Sequence, residues 1–252
     1  MITMPRSVVR TCVALTFVAA TAVASPTGAA LAEGQTPDQL QKRVEDALHD
    51  ERAWRNLEVT VAGDEATLTG RLNHFWDKHR AIQRALSVNG ISFVASEIVI
   101  PVEEDQQKLA EEVGRQVQRY PHYTMWDVID GRLDNGAVTL FGSVTPERDK
   151  SGELFERIAK IRGVQDVQVN FDVLPPSTSD DRLRYAIARQ VFRSPHFERF
   201  GTMTNPPFHI IVDNGVVTLV GYVPSQIELL ELQRIVAQTQ GVLRVENQLQ
   251  TQ

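Results

Sequence analysis

Three times along this 252-residue chain a glycine closes the same short apolar pattern: Ala66-Thr67-Leu68-Thr69-Gly70, Val138-Thr139-Leu140-Phe141-Gly142 and Val217-Thr218-Leu219-Val220-Gly221. The copies stand 72 and 79 residues apart, and each is followed by a second glycine, Gly90, Gly163 or Gly241, that opens another apolar run. Self-similarity on this scale means that one supersecondary unit has been repeated, which constrains the fold more than any composition does. Nine residues before each anchor glycine stand Val61, Leu133 and Val212, and between them lie Ala62-Gly63-Asp64, Asp134-Asn135-Gly136 and Asp213-Asn214-Gly215. Asn-Gly between alternating apolar runs predicts a tight β-hairpin, because both residues tolerate positive φ. In the first copy the glycine comes one place earlier, so a different turn is expected there.

An amphipathic helix is predicted ahead of each hairpin. Leu40, Val44, Ala47 and Leu48 share one face, as do Leu109, Val113 and Val117, and Leu183, Ile187 and Val191. A second helix follows each hairpin, carried by Ala81, Ile82 and Ala85, by Leu154, Phe155 and Ile158, and by Leu232, Ile235 and Val236. It ends near the second glycine, a suitable C′ residue. The last run then alternates as a strand. Each unit reads α-β-β-α-β, an α+β fold with two helices on one face of a three-stranded mixed sheet. A right-handed crossover places strand three parallel to strand two, while the strand order is left open.

These patterns divide the chain into a leader over 1–32 and units over 37–101, 105–174 and 180–251. The leader has Arg6 and Arg10, an apolar stretch from about Thr11 to Ala24, and Ala-x-Ala sites ending at Ala24 and Ala32. This pattern predicts a secretory signal peptide, since the stretch is shorter than the ~20 residues a spanning helix needs. The single cysteine, Cys12, lies inside it, so the mature chain is expected to hold neither disulfides nor thiolate-bound metal. Loss of Arg6 and Arg10 moves the formal charge from -6 to -8. Such an acidic chain is a poor candidate for nucleic-acid binding, which needs an excess of Lys and Arg.

The hairpin motif Asp-Asn-Gly-x-Val-Thr-Leu-x-Gly-x-Val with the ending Gly-Val-x-x-Val-x-Asn-x-Leu, as in Asp213 to Val223 and Gly241 to Leu249, resembles the BON domain, named for bacterial osmotically induced and nodulation proteins. Copies two and three carry the motif closely. Copy one departs at Gly63-Asp64 and at Gly90-Ile91-Ser92-Phe93-Val94, so its assignment as a third tandem copy rests on spacing and periodicity. The resemblance implies a non-enzymatic periplasmic or secreted envelope protein, often stress-induced, that contacts phospholipid or protects client proteins. It carries over only the structural glycines Gly70, Gly142 and Gly221, suited to strand-end geometry or close backbone approach.

A search for chemistry returns no nucleophile elbow, no His-Glu-x-x-His, no phosphate loop and no dinucleotide fingerprint. His74 and His79 miss the i, i+4 step that would place two imidazoles on one helical face. His122 and His196 occupy matching loops, which reflects shared construction. The acidic pairs Glu103-Glu104 and Asp180-Asp181 flank helix starts, where dipole complementarity accounts for them. No catalytic residue, metal site or cofactor is therefore expected.

Two segments could make contacts. From Arg71 to Arg84, the cations Arg71, Lys78, Arg80 and Arg84 meet only Asp77, with Phe75 and Trp76 at the helix start. A local charge of +3 could supply about 3 kcal/mol at an anionic phospholipid surface, which alone is weaker than millimolar. Useful affinity then needs Trp76 or Phe75 inserted at the interface. The alternative is that Phe75 packs under its helix with Ile82 and Leu86 while the charges are solvated. The second segment is the long loop before strand one of copy three, with Phe197, Phe200, Met203, Pro206, Pro207 and Phe208. It either meets a partner or covers the core, and the need of a helix-backed sheet for a lid on its other face favours covering. The functional expectation is an envelope binding protein acting on phospholipid surfaces or exposed clients, with an adaptor for another envelope protein or cell-wall glycan as the alternative.

Overall fold

The computed structural model describes residues 36–251, so the signal peptide expected over 1–32 lies outside the described residues. The described residues form six α-helices and three three-stranded sheets. The first repeat comprises α1 (Pro37–His49), β1 (Glu58–Ala62), β2 (Glu65–Arg71), α2 (Phe75–Leu86) and β3 (Phe93–Val99). The second has α3 (Gln106–Gln118), β4 (Val128–Asp134), β5 (Ala137–Val144), α4 (Lys150–Ala159) and β6 (Asp166–Val173). The third has α5 (Thr178–Val191), β7 (Phe208–Asp213), β8 (Val216–Val223), α6 (Gln226–Ala237) and β9 (Arg244–Thr251).

Local chemistry sets these boundaries. Thr36 caps α1 through a reciprocal capping box with Gln39, and Asp105, Asp149, Ser177 and Ser225 accept from the first turns of α3, α4, α5 and α6. Each cap satisfies a main-chain donor that the helix cannot. Asn135 and Asn214, at φ 48°, are followed by Gly136 and Gly215 at positive φ, as a type I′ turn requires. In the hairpin turn of the first repeat only Gly63 has positive φ, the pattern of a type II′ turn.

In every sheet the middle strand pairs antiparallel with the strand before it and parallel with the strand after the second helix, giving the orders β1-β2-β3, β4-β5-β6 and β7-β8-β9. The registers are equivalent: Val59 opposes Leu68, Gly131 opposes Leu140 and Ile210 opposes Leu219. Ala66 and Leu68, Val138 and Leu140, and Val217 and Leu219 are buried under the helices, and each repeat has a core centred on its own elements, with side chains of the preceding repeat packed onto the second and third. The opposite sheet faces stay open, with Glu58, Thr60, Glu97, Gln168 and Gln248 exposed. Polar and threonine side chains make much of such a face compatible with water, while Phe93, Val99, Phe141 and Tyr222 also stay exposed on it.

The loop of the third repeat does something other than cap that face. Phe197, Phe200 and Phe208 are buried in the helix-side core, with Phe208 edge-on to both of the others at 5.5 and 5.4 Å, while Met203 stays exposed. The loop extends the core sideways.

Candidate functional site

Gly142 and Gly221 show why the repeated glycine is needed. Both have positive φ, 131° and 104°, and a Cβ there would stand 2.0 Å from the Val128 carbonyl oxygen and 2.5 Å from that of Pro207. The partner main chain passes too close for any side chain there, while at Gly70 a Cβ would meet the Leu57 side chain at 2.9 Å and the Asn56 carbonyl at 3.1 Å. These glycines build the strand end.

The basic-aromatic segment of the first repeat is not one exposed patch. Phe75 and Trp76 are half-buried against the second repeat, where Phe155 of α4 meets them edge-on at 6.2 and 6.1 Å. His79 lies 4.8 Å from the same ring, and Lys160 stands over Trp76 at 5.4 Å. Phe75 is therefore packed against the second repeat's core with Phe155, while Ile82 packs on the core of the first. The cations are divided too. Arg80 pairs with Glu51 at 2.6 Å and lies over Trp54, Arg84 pairs with Asp50 at 3.7 Å, and Lys78 donates to the Ile98 carbonyl at 3.2 Å. Pairing with Glu51 and Asp50 offsets Arg80 and Arg84 locally, which weakens their attraction to an anionic surface. Arg71 stays exposed, beside Val99 in register.

The junction between the second and third repeats is also built from side chains that sequence reasoning passed over. Ile210 donates its main-chain N–H to the Met125 carbonyl at 2.7 Å, and Met125 is buried in the third repeat's core. Tyr123 stacks on His209 with ring centres 5.2 Å apart and 9° between planes, its Oη 3.3 Å from Nε2. Burial holds His209 below the usual imidazole range and pushes the Tyr123 phenol up to about 12.

Beneath this junction lies a buried ion pair. Lys150 and Asp127 side chains are both 0% exposed, with Nζ 2.7 Å from Oδ1. Lys150 also donates to Thr145 Oγ1 and Glu147 Oε1, and Asp127 accepts from the main-chain N–H and hydroxyl of both Thr124 and Thr145. A satisfied cluster of this kind fixes geometry; it faces no reacting partner. Asp180 works similarly, its buried carboxylate accepting from Asn214 and Gly215 at 3.0 and 3.1 Å, a specific tie to the hairpin turn rather than solvation at a helix start.

Two concavities flank the second repeat. One of about 800 Å³ lies on the helix side, lined by charged side chains that include the pairs Arg115–Glu112 and Lys160–Glu156. The other, about 720 Å³, runs between α3, the outer edge of β4 and the segment Asn205 to His209. Among the described residues no group of three or more His, Cys, Asp or Glu is placed to hold a metal ion, and no helix is long and apolar enough to cross a membrane.

No curated protein matches the chain. Among solved structures it is similar to the C-terminal domain of CdsD, a structural protein of the type III secretion system of Chlamydia trachomatis, at 11% identity and a TM-score of 0.23, covering 83% of this chain and 95% of that one. It is also similar to the periplasmic domain of the type III secretion inner-membrane protein PrgH from S. typhimurium, at 12% identity and a TM-score of 0.22, covering 78% and 99%. The BON domain family profile matches residues 36–101 and 179–252. It thus takes in the first repeat, whose turn departs from the quoted motif, and leaves the second unmatched. On these two regions, which make up more than half of its length, the chain belongs to the BON domain family.

Proposed function

We propose that this protein is a non-enzymatic binding module of the bacterial envelope, periplasmic or secreted, in which three BON-type repeats act as one adaptor for protein partners or exposed client segments. The middle repeat is read as the third copy because its element order, strand pairing and register equal those of its neighbours. The observation that carries the function is the closure of Phe75 and Trp76 over Phe155. It joins the repeats and commits the aromatics that a membrane would have to take up, leaving open sheet faces as the surfaces for adhesion.

A photo-crosslinking residue at Thr60, Phe141 or Gln248, one on each outer sheet face, tests the reading in intact cells. Discrete protein adducts are expected from at least one position; their absence from all three defeats the adaptor. Phospholipid association is the second reading, favoured by the exposed cluster of Arg71, Val99 and Val102. Vesicles of anionic lipid that pellet the protein in a salt-sensitive way, with loss in Arg71→Glu, would move the assignment to the membrane.

A further inference from the structure

The second repeat differs from its neighbours at three equivalent positions, and all three open the same groove. The core position of the edge strand is Val59 in β1 and Ile210 in β7, both buried, but Gly131 in β4. On the helix above, the third repeat has Arg184 and Ala188 where the second has Ala110 and Gly114. A Cβ on Gly114 would meet nothing within 4 Å. The result is the cavity of about 720 Å³ between α3 and β4.

The same differences leave the edge of β4 uncapped at Gly131 and Leu133, although at its start the Ile129 main chain is met by Tyr123. In the third repeat the main-chain groups facing outward from β7 are taken up: Ile210 donates to Met125, and the Val212 carbonyl accepts from buried Arg184 at 2.7 Å. By register, Gly131 and Leu133 face outward in β4. Ala110 has no donor with which to cap the Leu133 carbonyl, and Gly131 N–H is held only by the neighbouring Asp130 carboxylate at 2.7 Å. Across the groove, Asn205 Oδ1 is buried with no hydrogen-bond partner. A buried polar atom of this kind costs free energy until a ligand satisfies it.

We infer that this groove takes an extended polypeptide segment, added as a fourth strand along β4 with apolar side chains seated over Gly131 and Gly114. The occupant must offer donors and acceptors along the length of a strand while filling a hollow lined by Val113, Val117, Ile129 and Leu133. A polypeptide main chain does both, with specificity from alternate side chains. A hydrocarbon chain would leave Asn205 and the strand edge unpaired. Asp130 and Arg132 contribute one charge of each sign, so the walls do not select an anion. The inference rests on the protein-binding reading above.

The test is titration of the full chain with a library of synthetic octapeptides alternating apolar and polar residues, read by amide NMR shifts. Saturable shifts confined to β4, α3 and Asn205 to His209 are expected for a subset of peptides. Gly114→Leu, which adds a helix-favouring side chain in open space, should weaken binding about tenfold or more, as should Ala110→Arg. N-methylation of alternate peptide residues should do the same with the unaltered protein. Binding that is indifferent to N-methylation and to Gly114→Leu, or no binding by any member at millimolar peptide, overturns the inference. Crosslinks from the outer sheet faces without peptide binding would sink the groove and spare the adaptor; failure of both would remove both.

Discussion

Replacing Lys150 by Met tests the buried pair directly. The substitution nearly conserves side-chain length and removes the cation from a site where Asp127 is fully enclosed. Breaking a buried pair by removing one partner costs about 3–5 kcal/mol, because the remaining charge is left uncompensated. Asp127 keeps its four bonds from Thr124 and Thr145, which places the loss at the lower end, about 3 kcal/mol, or roughly 150-fold in the folding equilibrium. Trp126, packed against the third core next to Asp127, reports the event in a background where Trp54 and Trp76 are Phe. Urea unfolding followed by Trp126 fluorescence measures the difference. Adding Asp127→Asn to Lys150→Met should recover about 1 kcal/mol, since removing the buried charge relieves several kcal/mol, more than the about 1–3 kcal/mol lost where the amide NH2 faces one threonine N–H in place of an accepting oxygen. A single-variant loss below about 1 kcal/mol, or no recovery in the double variant, refutes the reasoning. Arg244→Gln, at an exposed pair with Glu246, serves as the control and should change stability by less than about 0.5 kcal/mol.

Asp180→Ala strands the turn N–H groups of Asn214 and Gly215 and should cost about 2 kcal/mol, with faster amide exchange at those two residues as the signature. Gly142→Ala should destabilise by more than about 2 kcal/mol because the new Cβ meets the Val128 carbonyl, whereas Gly114→Ala, in open space on α3, should stabilise by about 0.5–1 kcal/mol; thermal melts separate the two. Burial lowers His79 and His209 in the folded protein, so below about pH 6.5 the unfolded chain binds protons first and stability falls as pH drops from 6.5 to 5. The carboxylates held low by arginines, such as Glu153 and Glu231, lose their contribution only below about pH 4.5, so a His79→Phe, His209→Gln variant should flatten the upper window alone.

Much of the architecture was legible because it is written in short-range terms. The hairpin turns follow from the positive φ that Asn-Gly tolerates, and the helices follow from apolar steps of three and four. The central place of the second strand was not legible, because strand three runs parallel to strand two in either order, 1-2-3 or 2-1-3, and only the pairing decides between them. The junctions were hidden for a different reason. Phe75 and Trp76 look the same in sequence whether they face lipid or Phe155, because the partner lies 79 residues or more away. Lys150 offered one faint signal, a cation in the first turn of α4, where the helix dipole disfavours positive charge. Asp180 offered none beyond its place at a helix start. The groove became visible only when the three registers were laid over each other and Gly131 stood where Val59 and Ile210 stand.

The separateness of the three cores bears on how the chain acquires its shape. A polypeptide emerging from its N-terminal side completes the first sheet once β3 has appeared, with no contribution needed from residues a hundred positions later. Each following sheet likewise waits only for its own last strand. Contacts of such limited sequence separation favour rapid, stepwise acquisition of structure, and at each stage the next apolar segment can find a finished neighbour to lean on: α4 meets an α2 already in place, and β7 meets a settled Met125.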